Sequence, residues 1–248
     1  MAKLSSNEIT EYHRLFKEMT DAVAGKGTKP ADSKEEEVVR KFRIVTVKIA
    51  DKISERIDKS QGVGIKRDFV RNLSLAHIRE PLGVDGSKFR DGRFHRVEMT
   101  ESTNVGLGCF YLAANEFVTA AECVLNPFNA KSPRVDVWVS VDLNNVLDIS
   151  SLAALRSNPG LELIREDEWE GFNMRTGDHS LSQLIGRHAF LQGYSGILYN
   201  SSKMDDISAL NLCVFPLNFG PGESIEVIDP IRAYDLLPIL PKAVLRIP

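Results

Sequence analysis

Tyr111 and Glu122 stand eleven residues apart in the stretch GCFYLAANEFVTAAECVL, residues 108–125. Residues 109–114 read as a short buried strand and 116–125 as an amphipathic helix. The phenol therefore falls near the end of the strand. The carboxylate lies within one helical turn of Val118, Ala121 and Val124, and these three with Phe117 are expected to face inward. A partly desolvated carboxylate acts on a nearby cation more strongly than one in water. Other polar residues also sit beside apolar strands without an obvious structural duty. Arg93 follows a glycine in the basic turn FRDGRFHR, 89–96. Ser201 and Ser202 close the strand GILYNSS, and Asn211 opens the strand ALNLCVFPL. A guanidinium offers a rigid fork that matches phosphate oxygens. Taken singly, each residue has an ordinary structural reading: a solvated cation, a core tyrosine with its hydroxyl at the surface, an exposed glutamate, turn serines.

Other chemistries find less support. There is no G-x-x-x-x-G-K phosphate loop and no G-x-S-x-G nucleophile elbow, and GVDG or GLG alone are weak signals. The five histidines show no H-x-x-x-H spacing and no acidic cluster beside them, so no metal is expected. Cys109, Cys123 and Cys213 lack C-x-x-C spacing and read as buried thiols in a reducing compartment. A net charge of -3 argues against direct nucleic-acid binding or a dedicated anionic-membrane binder. No apolar run is long enough to span a bilayer, and MAKLSSNEITEYHRL lacks the apolar core of a signal peptide. A cytoplasmic location is the expectation.

The elements that must position these residues follow from periodicity. Ile9, Tyr12, Phe16, Met19 and Val23 have helical spacing after a Ser5 or Ser6 cap. A polar linker, 25–36, leads to a second helix with Val38, Phe42, Val45, Ile49, Ile53 and Ile57 on one face. The pair reads as an N-terminal helical hairpin extension, 1–62, ahead of a domain over 63–248. In RVDVWVSVDLNNVLDIS, 134–150, Val135, Val137, Val139, Val141 and Leu143 alternate with Trp138 and Ser140, the pattern of a strand. Residues 156–180 give no clear pattern around Trp169, Phe172, Arg175 and His179. SLSQLIGRHAFLQGY, 180–194, reads as a helix capped at Ser180 or Ser182. Strands and helices interleave without a regular βαβ period, so the class is α+β.

Five segments in order resemble the RES domain family: GRF (92–94), FYLAANEFVTAAECV (110–124), VDLNNVLDIS (141–150), SQLIGRHAFLQGYSGILYNSSK (182–203) and NLCVFP (211–216). The resemblance runs from about residue 88 to 220, and the helical hairpin lies outside it. Arg93 to Tyr111 is longer than in short family members, which implies an insertion around 96–106 and leaves Arg90 as an alternative to Arg93.

The resemblance implies a fold similar to ADP-ribosyltransferase toxins. It also implies an enzyme, the toxin half of a toxin–antitoxin pair, that cleaves the nicotinamide–ribose bond of NAD+ with water or phosphate as acceptor. NAD+ is then the substrate, no cofactor is needed, and an Xre-type antitoxin is the expected partner. Carried over, Arg93 binds the pyrophosphate, Tyr111 stacks against the substrate and Glu122 is the catalytic carboxylate. Ser201 is the pocket serine, with Ser202 as alternative, and Asn211 ties the sheet edge to the pocket. Two other readings remain: a mono-ADP-ribosyltransferase using the same residues on a protein acceptor, and a non-catalytic binding protein acting through its N-terminal helices.

Overall fold

The computed structural model describes residues 4–23, 33–74, 92–96, 109–124, 134–151, 160–204 and 206–228. Its elements in chain order are α1 (Ser6–Val23), α2 (Ser33–Ile57), β1 (Val63–Ser74), β2 (Phe110–Ala113) and α3 (Glu116–Val124). Then come β3 (Arg134–Asp148), α4 (Gly160–Glu166), α5 (Trp169–Thr176) and α6 (Leu181–Leu191). The chain ends its described part with β4 (Gly196–Asn200), β5 (Leu210–Val214), a 3-10 turn (Pro216–Asn218) and β6 (Ser224–Val227). This is the α+β arrangement expected from the sequence. Strand β1 and the short helices α4 and α5 are not legible there.

The chain divides into two units. The first comprises Met1–Ser60, Gly92–Phe94 and Leu152–His188, and its described elements are helical. Helix α1 starts with the expected cap: the Ser5 hydroxyl accepts the Glu8 N–H, and the Glu8 carboxylate accepts the Ser5 N–H at 2.9 Å. The reciprocal pair satisfies amides that the first turn leaves without partners. Tyr12 and Met19 of α1 and Phe42, Ile49, Ile53 and Ile57 of α2 are buried, as their spacing predicts, whereas Ile9, Phe16, Val38 and Val45 are half-buried and Leu15, outside the expected stripe, is buried. Phe42 meets Phe172 of α5 edge-on, with ring centroids 5.6 Å apart. Gly160 opens α4 where a Cβ would lie 2.4 Å from Leu4 and 3.0 Å from Ile53, so glycine permits the close approach. Helix α5 ends at Gly177, whose φ of 72° is the left-handed conformation glycine adopts without strain.

The second unit comprises Gln61–Asp91, His95–Ser151 and Ala189–Pro248. Its sheet has the order β1-β2-β5-β4-β3-β6, and an added antiparallel β1–β3 pairing closes the first five strands into a ring. All pairings are antiparallel except β3 with β4. The inner face carries Ile65, Phe69, Leu73, Phe110, Leu112, Val135, Val137, Val139, Val141, Leu143, Val146, Leu212 and Val214 as one apolar cluster. Trp138 and Ser140 lie on the other face of β3, in keeping with its alternation. At Asn144–Asn145 the alternation breaks, and both backbone N–H groups donate to the Glu223 carboxylate. Past this bulge β3 pairs in parallel with β4, Leu147 opposite Ile197. Gly196 at the start of β4 is required by closeness: a Cβ there would lie 2.5 Å from the Cys213 carbonyl oxygen.

Candidate functional site

The strand–helix unit that holds Tyr111 and Glu122 is fixed at its junction. The Ala114 N–H donates to the Leu210 carbonyl at 2.9 Å, which extends the β2–β5 ladder by one rung. Asn115 then caps α3: its side-chain oxygen accepts the Val118 N–H at 3.0 Å, and its carbonyl accepts the Thr119 hydroxyl. Such a cap is worth about 0.5–2 kcal/mol, and here it also sets the rotational phase of the helix. Val118 and Thr119 turn inward and are buried, and Glu122, one turn further on, shares their side. Phe117 does not face inward as its hydrophobicity predicts; it is 78% exposed. Its position, one residue before Val118, is rotated away from the buried stripe once Asn115 fixes the start. Ala121 is half-buried, and the side chains of Cys123 and Val124 lie outside the described residues.

Glu122 Oε1 accepts two hydrogen bonds. The Ser201 hydroxyl donates at 2.7 Å and the Asn211 amide at 2.8 Å. Both donors are buried. Ser201 is held by its own main chain, whose N–H donates to the Ala209 carbonyl at 2.7 Å, and its hydroxyl also accepts the Lys203 N–H. Asn211 pairs with Ala113 on one side and Tyr199 on the other. Nothing among the described residues donates to Oε2, and Glu122 is only half-buried. One carboxylate oxygen is therefore pinned by two neutral donors, while the other has no donor among the described residues.

Tyr111 lies on β2 directly opposite Cys213, two residues before Ala113, and therefore on the same sheet face as Asn211. It is half-buried. Cys109 and Cys213 are free and buried, and burial pushes the Cys213 thiol well above its usual range, with the neighbouring Cys109 adding to the rise. A thiol so placed is not a nucleophile at neutral pH. Ser202 is half-buried beside Ser201.

Arg93 belongs to the first unit, in a turn with Phe94. Its Nη1 donates to the carbonyls of Ile164 and Arg165, in the last turn of α4, where the helix dipole favours a cation. Arg90 lies outside the described residues. Among the described residues no group of three or more His, Cys, Asp or Glu could hold a metal ion. No described helix is long and apolar enough to cross a membrane.

Sequence reasoning misses Arg71. On β1 it occupies an inward position between Phe69 and Leu73, with its guanidinium 4.7 Å from the Phe110 ring centroid. Burial lowers its pKa to about 10, which leaves it charged at neutral pH, and its buried Nε has no hydrogen-bond partner among the described residues. The signal is Arg71 in the alternating series Ile65, Arg67, Phe69, Arg71, Leu73, where Arg67 is exposed, and it is visible only once the strand's phase is known.

No curated protein matches the chain. Among solved structures, a chain of the M. tuberculosis MbcT–MbcA toxin–antitoxin complex matches with 16% identity and a TM-score of 0.45, over 74% of this chain and 95% of that one. A family model described as the RES domain matches residues 70–236, more than half of the sequence, and the chain belongs to that family.

Proposed function

We propose that the chain is a toxin that cleaves the bond between nicotinamide and ribose in NAD+. The observation that carries this reading is the Glu122 carboxylate pinned through Oε1 by Ser201 and Asn211, with no donor to Oε2 among the described residues. As the glycosidic bond breaks, its electron pair moves to the pyridinium nitrogen and neutralises it. Nicotinamide thus leaves without protonation, and no strong general acid is required. Positive charge develops at the anomeric carbon, and a preoriented carboxylate stabilises it without reorganising. Water adds to the ribosyl cation and releases a proton, or phosphate adds in its place. Arg93 is assigned to the pyrophosphate, Tyr111 to the nicotinamide and ribose, and Ser202 or Asn211 to substrate-binding contacts beside Ser201. The reaction needs no cofactor.

NAD+ depletion in the cytoplasm harms the producing cell, so an antitoxin protein of the Xre type that covers the site is the proposed partner. The test is to incubate the full chain with NAD+ and no protein acceptor. Release of nicotinamide with free ADP-ribose or its phosphate supports cleavage. Nicotinamide release only when a protein is added, with ADP-ribose attached to it, replaces this reading with transfer. An unchanged NAD+ pool in both arms rejects both.

A further inference from the structure

Helix α6 grips the turn that carries Arg93 at two points one turn apart. Gln183 is 2% exposed, and its side-chain amide makes four hydrogen bonds to described residues. Oε1 accepts the Ser180 N–H at 3.0 Å and the Asn173 amide at 2.8 Å. Nε2 donates to Asn173 Oδ1 at 2.8 Å and to the Gly92 carbonyl at 3.0 Å. The reciprocal amide pair with Asn173 locks the Gln183 rotamer, and Asn173 is itself tied to the Asp178 carbonyl. The Gly92 carbonyl is thus held by a side chain with no freedom to follow it.

Three residues along α6, Gly186 meets the other end of the turn. A Cβ on Gly186 would lie 2.2 Å from the Phe94 carbonyl oxygen, so backbone touches backbone there. Phe94 is itself 2% exposed. Between these two anchors Arg93 sends its guanidinium to the Ile164 and Arg165 carbonyls. The same first turn of α6 holds buried Asp167, whose Oδ2 accepts the Ser182 N–H at 2.8 Å and the Ser182 hydroxyl. A buried glutamine bonded through both amide atoms and a helix glycine at contact distance are more than a surface turn needs. They fix one main-chain position.

We propose that Gln183 and Gly186 are positioning residues for Arg93, fixing the Gly92–Phe94 main chain so that the guanidinium meets the NAD+ pyrophosphate in one geometry. This rests on the NAD+-cleaving reading and on Arg93 as its phosphate ligand. A cation held in place binds without an ordering cost, so loosening the turn weakens substrate binding rather than the bond-breaking step.

The test is steady-state nicotinamide release by the full chain as wild type, Gln183→Glu, Gly186→Ala, Arg93→Lys and Gln183→Glu with Arg93→Lys. Phe42→Leu, in the aromatic contact of α1, α2 and α5, serves as a destabilised control. Gln183→Glu keeps the acceptor for Ser180 and Asn173 but removes the donors to Gly92 and to Asn173 Oδ1. Expected are a KM for NAD+ raised about tenfold by each α6 variant with kcat within about twofold, and no further rise when Gln183→Glu is added to Arg93→Lys. A KM unchanged in the α6 variants, or changed no more than in Phe42→Leu at equal thermal stability, overturns the proposal. So does a multiplicative effect with Arg93→Lys. If wild type cleaves NAD+ and Arg93→Lys keeps the wild-type KM, the positioning role falls while cleavage stands. If wild type releases no nicotinamide, the cleavage reading fails first and the inference with it.

Discussion

Asn211 and Glu122, 89 residues apart in the chain, are joined by a 2.8 Å hydrogen bond from the amide to carboxylate Oε1, the oxygen that also takes the Ser201 hydroxyl. A strand, a helix and a strand-end loop thus agree on one orientation for one carboxylate. Glu122→Gln retains an Oε1 that can accept both bonds and removes only the charge. The variant is expected to unfold at the wild-type temperature and to release nicotinamide about 10²–10³-fold more slowly, the size of a lost preorganised electrostatic contact. Thermal unfolding and a nicotinamide assay check this together. Near wild-type turnover by the Glu122→Gln variant removes Glu122 from the mechanism.

The two donors act on orientation, so their loss is expected in kcat. Ser201→Ala and Asn211→Ala each leave one donor on Oε1, and each should lower kcat about tenfold with KM little changed. The double variant frees the carboxylate and should approach the rate of Glu122→Gln. Kinetics on the three variants decide it: a double variant no slower than either single one means that the hydrogen bonds do not orient the carboxylate for the reaction.

How much of this can be read from the sequence depends on how local the cause is. Strand β3 is legible because Val135 to Leu143 alternate without interruption, and its inner residues are 0–4% exposed. The α1 cap is legible because Ser5 and Glu8 form a local pair. Strand β1 is not: Ile65, Phe69 and Leu73 are four residues apart, a helical interval, and the charged Arg67 and Arg71 interrupt the apolar alternation between them. Helices α4 and α5 have 7 and 8 residues, too few for a period to show. At the site, Tyr111, Ser201 and Asn211 stand out as polar groups at the ends of apolar strands, and Glu122 as a carboxylate within one turn of apolar helix residues. What no spacing gives is that Ser201 and Asn211 share one oxygen of Glu122, because that contact depends on the β4–β5 and β2–β5 registers.

The helical unit carries a pH-dependent contact between its first two helices. Glu8 of α1 accepts a 2.6 Å hydrogen bond from Lys52 of α2. That bond, with the Ser5 N–H, lowers the Glu8 pKa from 4.5 to about 2. A carboxylate with a lowered folded-state pKa stabilises the fold above its unfolded value and loses that contribution as pH falls through the folded value. The contribution is therefore full above about pH 5 and fades toward pH 2. Solvent near the pair screens it, so about 1 kcal/mol at pH 7 is expected rather than the full value of the shift. Denaturant unfolding of wild type and Glu8→Gln should differ by that amount at pH 7 and converge as the pH approaches 2. A difference that stays constant down to pH 2 assigns the effect to something other than the Glu8 charge.

The orientation of α3 gives the last test, and it separates the observed phase from the one that hydrophobicity suggests. Phe117 is the larger apolar side chain, yet it is 78% exposed, whereas Val118 is 1% exposed and packs with Ala113 and Ala209. Phe117→Ser should change stability by less than about 0.5 kcal/mol, as for other surface substitutions. Val118→Ala removes two buried methyl groups beside the strand–helix junction and should cost roughly 1–3 kcal/mol. Because Val118 lies one turn before Glu122 on the same side of the helix, its truncation should also slow nicotinamide release at temperatures where the variant is fully folded. Denaturant midpoints with unchanged m-values, read beside the rate, check both expectations. The reverse ranking, with Phe117→Ser the more damaging, would mean that α3 is rotated from the phase set by Asn115 and that Glu122 does not face Ser201 and Asn211.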